Sequence, residues 1–284
     1  MSSTETKTET KKTIAFFGAT GGCGLSALRL SLAAGHTCIA LCRTPSKLTN
    51  RFSSAQYPNI TVVQGNAHDA DAVARCLVVP SGPSDQTNPG THLVDTIVFS
   101  VGGAFIWSRL TLDDPHVCER GIAAVLEAIG TVRARASPST GPSPSPGPRQ
   151  GVTGWRPTIV AVSTTGISRA GRDIPLLMVP LYRGVLSVPH ADKRALEDRL
   201  VARGSSGGDC GYDYVVVRPS LLSDGAKPER DIRVGVEDLR AEVHESREIG
   251  NAISREDVGR WIFEELVEGG RRRRYHGKAV SITW

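Results

Sequence analysis

The chain has 284 residues, 22% of them charged and 39% hydrophobic, with 30 Gly and 17 Pro. These are globular proportions, and they exclude wholesale disorder and collagen-like or coiled-coil architecture. Formal net charge is +5, but the run Arg271-Arg272-Arg273-Arg274 carries four of those charges, which leaves the rest of the chain near neutral. A nucleic-acid binder spreads basic residues over a face with aromatic partners. Here aromatic residues make up only 5% and the arginines follow Gly270 directly, so the run reads as a solvated turn, with a polyanion patch or nuclear-targeting signal as the alternative. No window approaches about 18 uninterrupted apolar residues, so no membrane span is expected. The opening MSSTETKTETKK lacks the apolar core of a secretory signal and reads as a disordered tail over residues 1–12. Six cysteines (Cys23, Cys38, Cys42, Cys76, Cys118, Cys210) include no CxxC pair, and seven histidines include no HExxH. Reduced thiols, a cytoplasmic setting and no metal follow as expectations.

Taken in order, Thr13–Phe17 is a β-branched and aromatic run suited to a strand buried on both faces. A glycine turn follows, then Leu25, Leu28 and Leu32 on one helical stripe, then Gly35 as a helix stop. Thr37–Cys42 is a second apolar run, completing a βαβ unit. The alternation continues with a strand at Ile60–Val63, a helix over Asp69–Leu77, a strand at Asp95–Val101 and a helix over Val117–Ile129. It resumes with strands at Thr158–Val162 and Tyr214–Val217 around a helix at Ala191–Val201. Ser254 fits the N-cap of a late helix, and Ala279–Thr283 a closing strand. The charged stretch Lys227–Arg247 is expected to form a substrate-side cap or β-ribbon. Two stretches break the rhythm: Ser81–His92 is polar and turn-rich, and residues 137–150 are dominated by Ser, Pro and Gly and read as a flexible insertion. The expectation is a single α/β domain over 13–284, a Rossmann-type doubly wound parallel sheet with a small C-terminal substrate-side region.

The glycine turn carries the first chemistry. Gly18, Gly21 and Gly24 are spaced GxxGxxG between a strand and a helix. A helix N-terminus accepts the negative charge of a diphosphate, provided that no side chain keeps the backbone away. Gly18, Thr20, Gly21, Gly22, Cys23 and Gly24 are therefore expected to cradle a dinucleotide. The end of the second strand selects which one. An acid there would bond the adenosine ribose 2′-hydroxyl, whereas this chain has Arg43-Thr-Pro-Ser-Lys47. Arg43 can grip a 2′-phosphate through paired donors and Lys47 adds charge, so NADP(H) is expected over NAD.

These segments, with VVQGNAHD, VSTTGIS, HADKRALED, VVVRPSLLSDG and ISREDVGRWI, resemble the NmrA-like, NAD(P)-binding branch of the atypical short-chain dehydrogenases/reductases along nearly the whole chain. The resemblance implies that Asn66 and Ala67 line an adenine pocket and that Gly102 and Gly103 flank ribose and diphosphate. It also implies that Ser163, Pro219 and Ser220 border the nicotinamide end, and that Lys193 holds the nicotinamide ribose. The parent superfamily places a Tyr four residues before that lysine; here Pro189 stands there, and a proline has no proton to give. Losing a general acid removes about 10²–10⁴ in rate. Three substitutes remain open. His190 lies three residues before Lys193 and titrates near neutrality when unperturbed, or else merely starts the helix. Thr164 or Thr165 offers a hydroxyl, or is a turn residue. Tyr182, in a loop bounded by Pro180 and Pro189, folds over the pocket or simply packs. The leading expectation is an NADP(H)-dependent oxidoreductase acting on a carbonyl or conjugated double bond of a small organic molecule, as a monomer or homodimer without nucleic-acid or membrane partners. A redox-sensing regulator without turnover and a non-redox isomerase or cyclase are the alternatives.

Overall fold

A computed structural model of the protein describes residues 11–79, 93–106, 108–109, 111–136, 154–204 and 211–284. The expected tail (apart from Lys11 and Lys12), the Ser81–His92 stretch, the 137–150 insertion and Cys210 lie outside the described residues.

The apolar runs become strands, because a segment apolar on both sides is buried only between two layers of helices. The first half holds β1 (Thr13–Phe17), α1 (Gly22–Ala33), β2 (Thr37–Cys42), the single turn α2 (Ser46–Thr49), β3 (Ile60–Gln64), α3 (Ala70–Cys76) and β4 (Thr96–Phe99). A short pair, β5 (Phe105–Ile106) and β6 (Thr111–Leu112), leads into α4 (Val117–Ala136), β7 (Thr158–Val162), α5 (Val179–Arg183) and α6 (Ser187–Gly204). The remainder holds β8 (Asp213–Pro219), β9 (Leu221–Ser223), β10 (Arg233–Asp238), β11 (Val243–Ser246), β12 (Ala252–Ser254), α7 (Arg255–Trp261) and β13 (Lys278–Thr283). Gly35 has the left-handed φ of +80° expected of a helix stop, and Ser254 caps α7 by accepting the Asp257 amide.

Nine strands form one sheet in the order β11-β10-β13-β8-β7-β4-β1-β2-β3. From β3 to β13 neighbours pair in parallel, while β10 is antiparallel to both β13 and β11. The chain winds outward from β1 to β3 and then returns to place β4 beside β1. This reversal opens a crevice at the carboxyl ends of β1 and β4, as in other doubly wound sheets. Alternate strand residues feed two cores. Phe17, Leu41 and Phe99 pack towards α3 and α4, whereas Phe16, Ala40 and Val98 pack towards α1 and α7. Among the described residues no helix is long and apolar enough to cross a membrane.

Two expectations change and a third is narrowed. The Pro180–Pro189 segment is largely helical rather than a loop: Pro180 sits in the first turn of α5, and Pro189 is the third residue of α6. Proline is tolerated there because the first-turn amides need no helical acceptor. The Lys227–Arg247 stretch supplies β10 and β11, an antiparallel pair that is the β-ribbon of the two alternatives and extends the main sheet past β13. The α4 helix runs seven residues past Ile129.

One charge cluster ties α6 to the sheet. Arg218 on β8 is 1% exposed and bonds Glu197 of α6 through two nitrogens, at 3.0 and 2.7 Å, and Glu237 of β10 at 2.7 Å. Ser163 and Ser168 add hydroxyl donors, each at 2.6 Å, to Glu197 and Glu237 respectively. Burial alone would lower the arginine pKa, but the two carboxylates push it up, so the guanidinium stays charged. Replacing it leaves two buried carboxylates without a cation. Arg218→Met is expected to cost about 3–5 kcal/mol of folding stability, measured as a lowered urea midpoint at unchanged slope.

Candidate functional site

The site begins where β1 meets β4. Gly18 has φ +89°, and a Cβ there would lie 2.6 Å from the backbone of Ser100. Ser100 donates its amide to the Phe17 carbonyl at 2.8 Å and its hydroxyl to the Gly18 carbonyl at 3.1 Å. A Cβ on Gly24 would collide with the Ser100 hydroxyl oxygen, whereas one on Gly21 would meet nothing within 4 Å among the described residues. The three glycines thus divide their work, which corrects the expectation that all three make way for a ligand. Gly18 and Gly24 admit the end of β4, and Gly21 alone keeps open space over the helix mouth.

That mouth is the positive end of α1. Gly21 supplies no side-chain cap and no acid lies in the first turn. Among the described residues the amides of Gly22, Cys23 and Gly24 have no protein acceptor, and Leu25 is the first of the helix to bond back, to the Gly21 carbonyl. Partly buried Thr20 stands beside them. Orphan amides plus the helix dipole make an anion site. Two cations reinforce it. Arg255, the first residue of α7, brings its Cδ to 3.4 Å from where a Gly22 side chain would start, and Lys193 approaches from α6. Burial pushes the Cys23 thiol up to about 12, while Arg255 and then Lys193 pull it back. Cys23 is therefore a neutral packing residue between two positive groups, with no thiolate chemistry.

Arg43 and Lys47 lie exposed beyond β2, and neither side chain has an acidic partner among the described residues. Asn66 is exposed with its Oδ1 accepting the His68 amide at 3.2 Å, next to partly buried Ala67. Gly102 is exposed with open space about it, but Gly103 is packed against Asp113.

The other end of the crevice is built by α6. Lys193 Nζ donates to the Val101 carbonyl at 3.1 Å and to Val162 at 2.8 Å, bridging the ends of β4 and β7. Its neighbour Asp192 caps α4 from outside, accepting the amides of Cys118 and Glu119, each at 2.9 Å. His190, 7% exposed, stands with its ring 5.1 Å from that of buried Tyr182. Both rings press on Gly166, whose φ is +89° and whose Cβ would collide with the tyrosine. Burial raises the Tyr182 pKa, a hydrogen bond with Thr165 lowers it, and buried Asp173 raises it. Burial, aided by Arg194, takes His190 down to about 4. This departs from the near-neutral value expected of it: at pH 7 the ring is neutral.

Thr164 donates its hydroxyl to the Thr165 carbonyl at 3.1 Å. The hydroxyl of Ser163 is committed to Glu197, and that of Ser220 to Thr283 at 2.9 Å. The Pro219 carbonyl accepts the Thr165 amide at 3.1 Å. The last three, expected beside the cofactor, turn their polar groups into the protein. Tyr182, His190, Thr165 and Gly166 come together, with Lys193 three residues along α6. Ser100, Asp173 and Arg255 were not expected at the site. For Ser100 and Arg255 the signal is tertiary, since each meets partners far away in sequence, whereas Asp173 acts locally by accepting the Gly166 amide at 2.9 Å.

The NmrA-like family model matches residues 10–122. Along 96% of the chain the sequence is 40% identical to "Reductase pytE" of Aspergillus terreus, covering 98% of that protein. It is 33% identical to "Oxidase pynE" of Aspergillus niger, covering 96% of this chain and 99% of that one. Among solved structures, a short-chain dehydrogenase/reductase from Veillonella parvula in complex with NADP superposes with a TM-score of 0.60 at 15% identity, over 97% of this chain and 95% of that one. With the fold, the glycine mouth and full-length relatives in agreement, the chain belongs to the NmrA-like family.

Proposed function

We propose that the protein is an NADP(H)-dependent oxidoreductase acting on a carbonyl or conjugated double bond of a small organic molecule. The observation that carries this reading is the α1 mouth. Three amides without acceptors face the open space over Gly21, beside Arg255 and, at the end of β2, two cations with no acid. Such a mouth fits a diphosphate, and the β2 end fits a 2′-phosphate better than a bare ribose. The full-length relatives are named a reductase and an oxidase, and the Veillonella protein holds NADP.

When bound, the nicotinamide supplies or accepts the hydride. The residues of the chain do the rest. The α1 amides and Arg255 hold the diphosphate, while Arg43 and Lys47 hold the 2′-phosphate. Two of the three Lys193 protons are fixed on the Val101 and Val162 carbonyls, which aims the third into the crevice for a ribose hydroxyl. The proton for the substrate oxygen or carbon is held on the Tyr182 phenol. Its raised pKa keeps it protonated through the neutral range, and Thr165 orients it. His190, neutral at pH 7, packs against that ring and excludes water. Tyr182 thus answers the one observation favouring a regulator without turnover, namely Pro189 at the customary tyrosine position.

Arg43→Asp is expected to weaken NADPH binding at least tenfold, since one hydrogen bond to a charged group contributes about 1.5–3 kcal/mol. NADH binding should stay within twofold; calorimetric titration of both coenzymes checks this, and parallel losses would remove the 2′-phosphate assignment. Tyr182→Phe should lower kcat by about 10²–10⁴ with NADPH affinity intact, and His190→Ala by less than tenfold at pH 7. The reverse ranking in steady-state kinetics would transfer the proton to His190. Its depressed pKa also has a stability consequence. The unfolded chain takes up the proton near pH 6.5 and the folded one only near 4. The contribution is therefore complete above pH 6.5 and lost as pH falls to 4, about 3 kcal/mol in all. Urea titrations of His190→Gln should show that much less acid sensitivity across this window.

A further inference from the structure

A cleft of about 590 Å³ opens beside the β9–β12 pair, lined by Pro175, Ser223, Lys227, Arg230, Ala252 and Trp284 among others. Its walls connect to both halves of the site. Asp224, next to Ser223, accepts from Arg255 at 2.7 Å, and Arg255 stands at the glycine mouth. Pro175 belongs to the segment after β7 that carries Thr165, Gly166 and Asp173.

The cleft is built for negative charge. The ammonium of Lys227 lies 4.7 Å and the guanidinium of Arg230 5.0 Å from the centre of the Trp284 ring. Neither cation has an ion pair among the described residues. Of the acids beside the cleft, Asp257 accepts from Ser254, from the Lys227 amide and from the Trp284 indole, and Glu248 pairs with Arg233, while Glu229 and Asp231, which flank Arg230, form no ion pair with either cation. The ring attracts both cations, but their mutual repulsion remains until an anion joins them. A second, independent observation points the same way. The Ser223 hydroxyl oxygen, on the cleft wall, is buried without a hydrogen-bond partner among the described residues, a state that costs free energy unless a ligand completes it. At the rim, Leu176 and Leu177 follow Pro175 with 71% and 95% of their surface exposed.

We propose that this cleft is the substrate's anion subsite, taking the carboxylate of an organic acid between Lys227, Arg230 and Ser223 while the apolar body of that acid lies along Trp284 and the two leucines. The assignment rests on the small-molecule redox reading above and narrows its substrate class to apolar organic acids.

The test compares 8-anilinonaphthalene-1-sulfonate with its uncharged counterpart N-phenyl-1-naphthylamine, using fluorescence titration of the full chain with and without NADP+. In the double variant Lys227→Met/Arg230→Met the anionic probe should bind at least tenfold more weakly and the neutral probe within twofold of wild type, with NADPH affinity unchanged. Benzoate should displace the anionic probe from wild type more readily than phenyl phosphate does. Unchanged affinity for the anionic probe, or equal weakening of both probes, overturns the subsite. Lost NADPH affinity also overturns it, because the two cations would then serve the coenzyme; preferential displacement by phenyl phosphate overturns the carboxylate assignment. Because the readout is binding, a protein that never oxidises NADPH would refute the redox reading while the probes still decide the cleft.

Discussion

The approach of Ser100 to Gly18 is the contact on which the rest of the site depends. It joins the ends of two strands that are adjacent in the sheet but more than 80 residues apart in the chain, at the point where the winding reverses. With its amide and hydroxyl on the Phe17 and Gly18 carbonyls, Ser100 fixes the path by which β1 turns into α1. That path leaves the first helical amides without protein acceptors. A side chain at position 18 or 24 would wedge the two strands apart, tilt the mouth of α1 and disturb the Val101 carbonyl that Lys193 uses. The same backbone contact therefore sets the proposed diphosphate end of the crevice directly and the proposed catalytic end through one lysine.

At the catalytic end α6 is held by polar anchors as much as by packing. Leu196 and Leu200 are its fully buried leucines, while Asp192 caps α4, Lys193 bridges two strand ends and Glu197 grips Arg218. Each anchor reaches a different element, so the helix can neither slide nor rotate without breaking several charge-assisted bonds at once. A buried cluster of two carboxylates and one guanidinium is a costly way to gain stability. Its structural return is placement: Glu197 fixes α6 relative to β8 and β10, and thereby fixes Lys193 and His190 relative to the ends of β4 and β7.

Much of this frame was legible in the residues because burial on both faces writes a continuous apolar run, and the glycine and serine stops obey local rules. Thr13–Phe17, Thr37–Cys42 and Thr158–Val162 form strands at the bounds read from sequence, and Gly35 and Ser254 end and begin helices by backbone conformation and capping alone. What the sequence could not convey is which polar side chains face one another. Ser163 and Ser220 look like ligand-facing hydroxyls in a linear reading, yet Glu197 and Thr283 claim them. Arg255 looks like an ordinary first-turn residue, yet α7 packs on α1 closely enough to bring it to Gly22. The tertiary environment also reversed the apparent merits of His190 and Tyr182, since an imidazole loses its charge on burial while a phenol keeps its proton.

That reversal bears on Pro189, which stands where the family resemblance implies a tyrosine. Pro189 starts α6 well, because the first helical turn needs no donor there, but it removes a phenol one turn before Lys193. In the proposed mechanism Tyr182 takes that role, and α5 places it by folding the preceding segment onto Gly166, where the missing Cβ admits the ring. A phenolate formed there would be as poorly solvated as any buried anion, so proton donation needs a nearby positive charge. Within the protein the charge that acts on Tyr182 is that of buried Asp173, which raises its pKa further, so the phenol is held as the acid and not as the phenolate. In the proposed mechanism the lysine that would hold the coenzyme and the tyrosine that would give the proton are separate groups on α6 and α5, so moving the acid along the chain leaves Lys193 where it is.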